Sequence, residues 1–430
     1  MCLFLFFKHT LFIYAHNTLE LHNMRQNVLL LLLISVIYPS FGNSPKANLE
    51  FYGFVRNDFY FNSRQCEEGI DGVFNFFPKP VSKNLVIGID ENAVPQANML
   101  SIASRLGLNI KGQPILGAES SGKIEFDFAG YGVANYVIRI RHAYMQLKWQ
   151  ESVLQVGQNW HPMFGSVVPI TVSLNAGMPF QPFNRSPQLR FTYNLSNQLS
   201  VTGAAVYQMQ YTSSGPKGFS PNYLRNSLTP ELFAGAEYKT DHWVNGLGID
   251  YKAIKPDDNN RLSSLSAIAY SQYTKNKFMA KGRVTIGQNL SDQLLANGYG
   301  MVYNPSSNKF FYTNMNIVSS WVNFVYGKKF QISVFGGYSH NLGSSLDLYQ
   351  TPLTNKISIY SRGFYSDTQE MINRMGRVSA TLLYNLPNLT FGLEYNLTGV
   401  EYGKIKVNGT TGNNYFINNH RVVGSVSYHF

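Results

Sequence analysis

The chain has 430 residues, of which only 14% are Asp, Glu, Lys or Arg. Ordinary globular chains carry about 25% charged residues, so a set of soluble domains with a fully water-facing surface is excluded. Aromatic residues also reach 14%, yet the longest apolar stretch, Val28 to Tyr38, is 11 residues interrupted by Ser35. That falls short of the roughly 18 a helix needs to cross a bilayer, which excludes a polytopic helical membrane protein.

Low charge, 28 Tyr, 30 Phe, 36 Gly and abundant Asn and Ser without long apolar runs match an all-β chain. The expected fold class is a transmembrane antiparallel β-barrel whose outer face meets lipid and whose inner face meets water.

In chain order, Arg25 followed by the apolar run Val28 to Ile37 and by Ser40-Phe41-Gly42 has the pattern of a secretory signal peptide cleaved after Gly42. Residues 24–42 are then the signal, residues 1–23 an upstream extension from a mis-assigned start codon, and residues 43–430 the barrel. Cleavage removes Cys2 and leaves Cys66 without an intrachain partner, so Cys66 reads as a lone loop cysteine. The formal net charge of +11 falls by one on losing Lys8, Arg25 and Glu20. A basic excess favours anions and lipopolysaccharide phosphates as partners. Nucleic acid is not expected, because no cluster of five or more Lys/Arg and no zinc spacing occurs.

From Leu49 onward, period-2 alternation recurs in segments of about ten residues separated by Gly, Asn, Ser and Pro. Strands are expected to begin at Leu49, Met99, Gly122, Val133, Ser152, Pro187, Gln198, Glu231, His242, Arg261, Lys277, Lys309, Lys329, Ile372, Asn388 and Tyr415, about sixteen in all, with no plug domain. Short turns at Gln150-Glu151, Ser196-Asn197, Lys328-Lys329 and Pro387-Asn388 would face the periplasm. Longer segments, Ser213 to Thr229, Asn341 to Asn355 and Gly403 to Asn414, would face outside. In the last strand Val422, Gly424, Val426, Tyr428 and Phe430 share one face, and a terminal Phe behind alternating apolar residues resembles the signal read by the barrel-assembly machinery.

Alternation also assigns the charges. Giving the apolar set of each strand to lipid turns Arg105, Asn109 and Lys111, Glu125 and Asp127, Arg139 and Arg141, Arg190 and Thr192, Lys281 and Arg283, and Arg377 into the lumen. By the same parity His142 and Tyr144 fall on the lipid side. An Arg turned to lipid at midplane costs about 2–4 kcal/mol, so inward arginines follow from stability alone, paired with Glu125 and Asp127. The sharper reading is that Arg105, Arg139, Arg141 and Arg190 form a basic ladder selecting anions. After the fifth strand, residues 160–185 carry Pro162, Pro169, Pro179 and Pro182, which excludes a central strand. This segment is expected to be either a constriction loop folded into the lumen, with Trp160 and His161 at the narrowing, or an extracellular cap or oligomer contact.

The succession Arg105-Leu-Gly, Ile124-Glu-Phe-Asp-Phe128, Arg139-Ile-Arg-His-Ala-Tyr144, Val156-Gly-Gln-Asn-Trp160 and Ser186-Pro-Gln-Leu-Arg-Phe-Thr-Tyr193 resembles the DcaP-like porins of Gram-negative outer membranes. The match is best from Tyr52 to Tyr193. The resemblance implies a sixteen-stranded homotrimeric porin passing small anionic solutes such as dicarboxylates, with Arg105, Arg139, Arg141 and Arg190 on its motif. The chain departs from the pattern at its N-terminus, where Asn43 to Asn48 leave no room for the periplasmic coiled coil of some relatives. Neither a Gly-x-Ser-x-Gly nor a His-Glu-x-x-His motif occurs, and no cofactor is expected. The rival functions are a saccharide-selective channel, a structural or surface-recognition barrel with its pore blocked by loops, and an outer-membrane hydrolase.

Overall fold

The computed structural model describes residues 47–130 and 137–430. The expected extension and signal, residues 1–42, and the expected strand start at Val133 lie outside the described residues. The chain closes into a barrel. Strand β1 (Asn48–Asn62) is followed by a long loop holding the hairpin β2 (Cys66–Gly69) and β3 (Phe74–Pro78). The second barrel strand is broken into β4 (Gln96–Leu100) and β5 (Arg105–Lys111). Then come β6 (Glu119–Asp127), β7 (Arg139–Lys148), β8 (Ser152–Trp160), β9 (Arg185–Asn194), β10 (Leu199–Val206), β11 (Glu231–Lys239), β12 (Trp243–Ile254), β13 (Leu262–Lys275) and β14 (Phe278–Gln288). Strand β15 (Gly298–Asn304) belongs to a loop, β16 (Lys309–Gly327) and β17 (Phe330–Ser344) return to the wall, and β18 (Ile359–Ser361) and β19 (Phe364–Tyr365) are short loop strands. The wall ends with β20 (Glu370–Asn385), β21 (Leu389–Ile405) and β22 (Thr411–His429).

Every wall pairing is antiparallel, and β22 pairs back to β1 in the register Phe54↔His429 to Asn62↔Arg421. Among the described residues closure leaves sixteen wall strands and no free edge, which removes the unpaired backbone groups that lipid would not tolerate. Along each strand the apolar set faces out. Ile124, Leu189, Val284, Ile332, Val378 and Leu393 are all exposed on the exterior, while Glu125, Thr285, Ser333, Ser379 and Glu394 are buried inside. Outward Tyr193, Tyr238, Trp243, Phe278, Tyr326, Phe330, Phe391, Tyr428 and Phe430 sit at the short-turn end, forming the aromatic girdle of an outer-membrane barrel.

The turns at 149–151, 195–198, 328–329 and 386–388 are short. The segment Gly403 to Asn414 is not a long loop. Strand β21 runs to Ile405 and β22 starts at Thr411, because Lys404↔Gly412 and Ile405↔Thr411 continue the ladder past an irregularity at Tyr402. Segment Asn341 to Asn355 likewise begins inside β17.

The hydrophobic core lies inside the barrel. Phe164, Val167, Met178, Phe180 and Phe183 from the β8–β9 loop pack with Phe74, Phe76 and Phe77 of the β2–β3 hairpin against Trp321, Phe335, Met375, Val400 and Tyr402 of the wall. Gly337 on β17 permits this approach, since a Cβ there would stand 2.6 Å from the Phe180 ring. Cys66, buried at the foot of the hairpin, has its thiol pushed up to about 11 by burial. Because the thiolate is the reactive form, Cys66 is expected to resist maleimide at pH 8 in the folded barrel and to label after denaturation; rapid labelling of the folded protein would contradict this placement.

Candidate functional site

Strands β5, β6 and β7 carry the charged wall. Their inward residues alternate with outward Ile124, Phe128 and Ile140, so Glu125 and Asp127 lie beside Arg105, Arg139 and Arg141. Arg139 grips Asp127 with two nitrogens, at 3.0 and 2.7 Å. Arg141 bridges both acids, its Nε donating to Glu125 Oε1 at 2.7 Å and its Nη1 to Asp127 Oδ2 at 3.0 Å. Arg105 Nε stands 3.5 Å from Glu125 Oε1, with its guanidinium 4.9 Å from the centroid of Phe54. Tyr52, lying over Gly107 where any Cβ would collide with its ring, donates its hydroxyl to Glu125 Oε2 at 2.8 Å. Three arginines thus face two carboxylates, and the wall keeps a positive excess.

A β-bulge corrects the expected parity of β7. Glu125 pairs with His142 but Phe126 pairs with Ile140, so Arg141 is the extra residue and the alternation reverses after it. Gln158 Nε2 ties the bulge by donating to the carbonyls of Ile140 and Arg141 at 2.9 and 3.2 Å. His142 and Tyr144 therefore point inward, not to lipid, and exposed Met145 takes the lipid side. The His142 ring meets Trp160 edge-on at 5.9 Å.

The β8–β9 loop, residues 161–184, crosses the lumen and is fastened on the far side. Arg56 Nη2 donates to Val172 O at 2.7 Å, Lys281 Nζ to Val168 O at 2.9 Å, and Ser333 Oγ to Ile170 O at 2.6 Å. Ile170 N donates to Asn323 Oδ1 at 2.9 Å. Between this loop, the β2–β3 hairpin and the charged wall lies a cavity of about 240 Å³ bordered by Arg105, Asp127, Arg139, Arg141, Trp160 and Phe183.

The structure brings together Arg105, Glu125, Asp127, Arg139 and Arg141, but it does not continue them into a ladder through Arg190. Arg190 lies beyond Trp160, donating from Nε to Gln188 Oε1 at 2.9 Å and from Nη2 to Trp160 O. Arg283 and Arg377 are not solute-facing. Arg283 donates to the carbonyls of Met163 and Phe164, and Arg377 to those of Met178, Asn75 and Phe76 at 3.2, 3.0 and 2.7 Å. Both meet backbone oxygens because the inserted loops offer carbonyls that no ladder satisfies.

Trp160 stacks on Phe164 with centroids 4.0 Å apart and borders the cavity. His161 does not line it. The ring is buried, Nδ1 accepts from Met163 N at 3.2 Å, and Nε2 lies 3.1 Å from Glu231 Oε2. With Asp250, these side chains bring ligand-type atoms within 4.8 Å of one another. The Nδ1 bond places the ring proton on Nε2, so His161 is set as a donor to Glu231, unlike a metal ligand, and it anchors the root of the loop.

Sequence reasoning missed Arg185. Fully buried, it lies over the Trp160 ring at 4.6 Å and the Phe183 ring at 5.6 Å. Its Nε donates to Gln210 Oε1 at 2.8 Å, and its two terminal nitrogens have no hydrogen-bond partner among the described residues. Alternation gives it no signal, since inward Arg190, Gln188 and Ser186 have the opposite parity and the chain bends in as it leaves the loop.

No family model matches the chain, and no curated protein matches it. Among solved structures, the outer membrane channel DcaP of Acinetobacter baumannii is similar with a TM-score of 0.65 at 18% identity, covering 90% of this chain and 99% of that one. The outer membrane protein OmpT of Vibrio cholerae matches with a TM-score of 0.51 at 11% identity, covering 90% and 99%. A trimer form of that protein matches at 0.50, again at 11% identity, covering 89% and 99%. Closed register, apolar exterior and these similarities agree on the fold: among the described residues the chain is a sixteen-stranded antiparallel barrel with the fold seen in the outer membrane channel DcaP.

Proposed function

We propose that the chain is an outer-membrane porin for passive diffusion of small hydrophilic solutes, with anions such as dicarboxylates preferred. The observation that carries this reading is the cluster of three arginines against two carboxylates on the wall of a lumen cavity narrowed by a fastened loop. A guanidinium stays charged at any working pH and suits carboxylates geometrically, and an excess of one sign at a narrowing dominates the field a passing ion meets. Outward Tyr428 and Phe430 at the end of β22 fit recognition by the barrel-assembly machinery, and the exposed exterior fits lipid and lipopolysaccharide. The likeness to a trimeric form of OmpT supports a homotrimer.

The test is a planar bilayer across a KCl gradient. An anion-selective reversal potential is expected, inverted in R139E/R141E, which leaves Arg105 facing four acids. A cation-selective wild type would sink the proposal. The aromatic core that the two loops build inside the lumen favours a second reading, a barrel closed by its loops, and absence of conductance would establish that one instead.

A further inference from the structure

Below the loop lies a second lumen cavity, of about 290 Å³, bordered by Arg190, Thr192, Ser200, Thr202, Glu237 and Tyr270. It sits toward the short-turn end, since Thr192 and Ser200 flank the turn joining β9 to β10. Trp160 borders both this cavity and the one at the charged wall, so its indole is the partition between them.

The two compartments differ in chemistry. The upper one sets Arg105, Arg139, Arg141 and Asp127 against a mostly apolar loop face. The lower one holds a single guanidinium, whose Nη1 makes no hydrogen bond among the described residues, and a run of hydroxyls with Thr192 and Thr202 in contact at 2.9 Å. Opposite them stands Glu237. Its Oε2 accepts from Ser166 Oγ and, at 2.9 Å, from Tyr270 OH, while Oε1 has no partner among the described residues. An anion entering here meets one cation for its carboxylate and an acceptor that rewards a solute bringing its own donor.

We propose that this lower cavity is a second solute subsite, in series with the first across Trp160, that selects small hydroxy-carboxylates over carboxylates lacking the hydroxyl. A plain dicarboxylate brings no donor for Glu237 Oε1 or for a threonine oxygen, and a site built to bond a hydroxyl discriminates against the analogue without one. The inference rests on the reading of the lumen as an anion path.

The probes are malate and succinate, which differ by one hydroxyl, titrated calorimetrically into the full chain in detergent micelles. Malate is expected to bind about tenfold more tightly, the scale of one good hydrogen bond to a charged group. T192V/T202V should bring malate down to succinate's affinity, and R190Q should weaken both. The milder S200A, with circular dichroism confirming the barrel, should narrow the malate preference if the double variant fails to fold. Equal affinities in the wild type, or a malate preference that survives these variants, would overturn the subsite. Malate preference in a channel that is cation-selective across KCl would instead overturn the anion path and leave the subsite standing.

Discussion

Replacing residues 167–176 with a short Gly-Ser linker is expected to raise single-channel conductance several-fold. This stretch lies across the lumen, held by Arg56, Lys281, Asn323 and Ser333 on strands from β1 around to β17. It supplies one wall of the cavity that faces Arg105, Arg139 and Arg141. Without it, an ion crosses a sixteen-stranded lumen whose section is set by the wall and the β2–β3 hairpin, and barrels of this size otherwise leave an aqueous channel. Selectivity should fall with the same change, because the wall charges then act across a wider and more screened path. A shortened protein that folds but conducts like the wild type would show that the narrowing lies elsewhere, with the hairpin as the next suspect.

The second large effect concerns stability. Arg377→Ala is expected to cost about 3–5 kcal/mol, because one guanidinium satisfies three backbone carbonyls on two different loops and each stranded buried group costs about 1–3 kcal/mol. The measurement is the urea midpoint of the refolded barrel in detergent, compared with Arg283→Ala, which releases two carbonyls of one loop and should cost less. An R377A midpoint equal to the wild type would mean that water replaces the guanidinium freely, and hence that the inserted loops are far more hydrated than their packing shows. The same variant should also let the hairpin and the β8–β9 loop separate, visible as added open-channel noise.

Much of the architecture was legible because lipid enforces a rule on every strand. Expected starts at Leu49, Ser152, Glu231, Lys309 and Asn388 fall within one residue of the strands that form. The inward set Arg105, Glu125, Asp127, Arg139, Arg141 and Arg190 was readable for the same reason: one face of each strand is closed to charge. What alternation could not show is anything decided by contact between distant segments. Arg283 and Arg377 obey the inward rule, yet their occupation depends on loops more than a hundred residues away in sequence. His161 sits beside a proline-rich stretch that suggested a narrowing, but its partner is Glu231, 70 residues on. Arg185 and the reversal at Arg141 break the period itself, so a reading based on the period had to miss them.

That reversal makes the chain's tolerance of length changes uneven. Loops of a barrel can gain or lose residues with little consequence, and the bulge gives β7 one such point within the wall: removing Arg141, the extra residue, would restore strict alternation and leave every other side chain of the strand on its present face. His142, Tyr144 and Gln146 would still point inward and Ala143 and Met145 outward, because Glu125↔His142 and Phe126↔Ile140 become consecutive pairs of one unbroken ladder. A single-codon deletion there would thus cost the charged wall one arginine without turning the strand over, whereas the same deletion within β8, whose ladders carry no bulge, would put every residue beyond it on the wrong face.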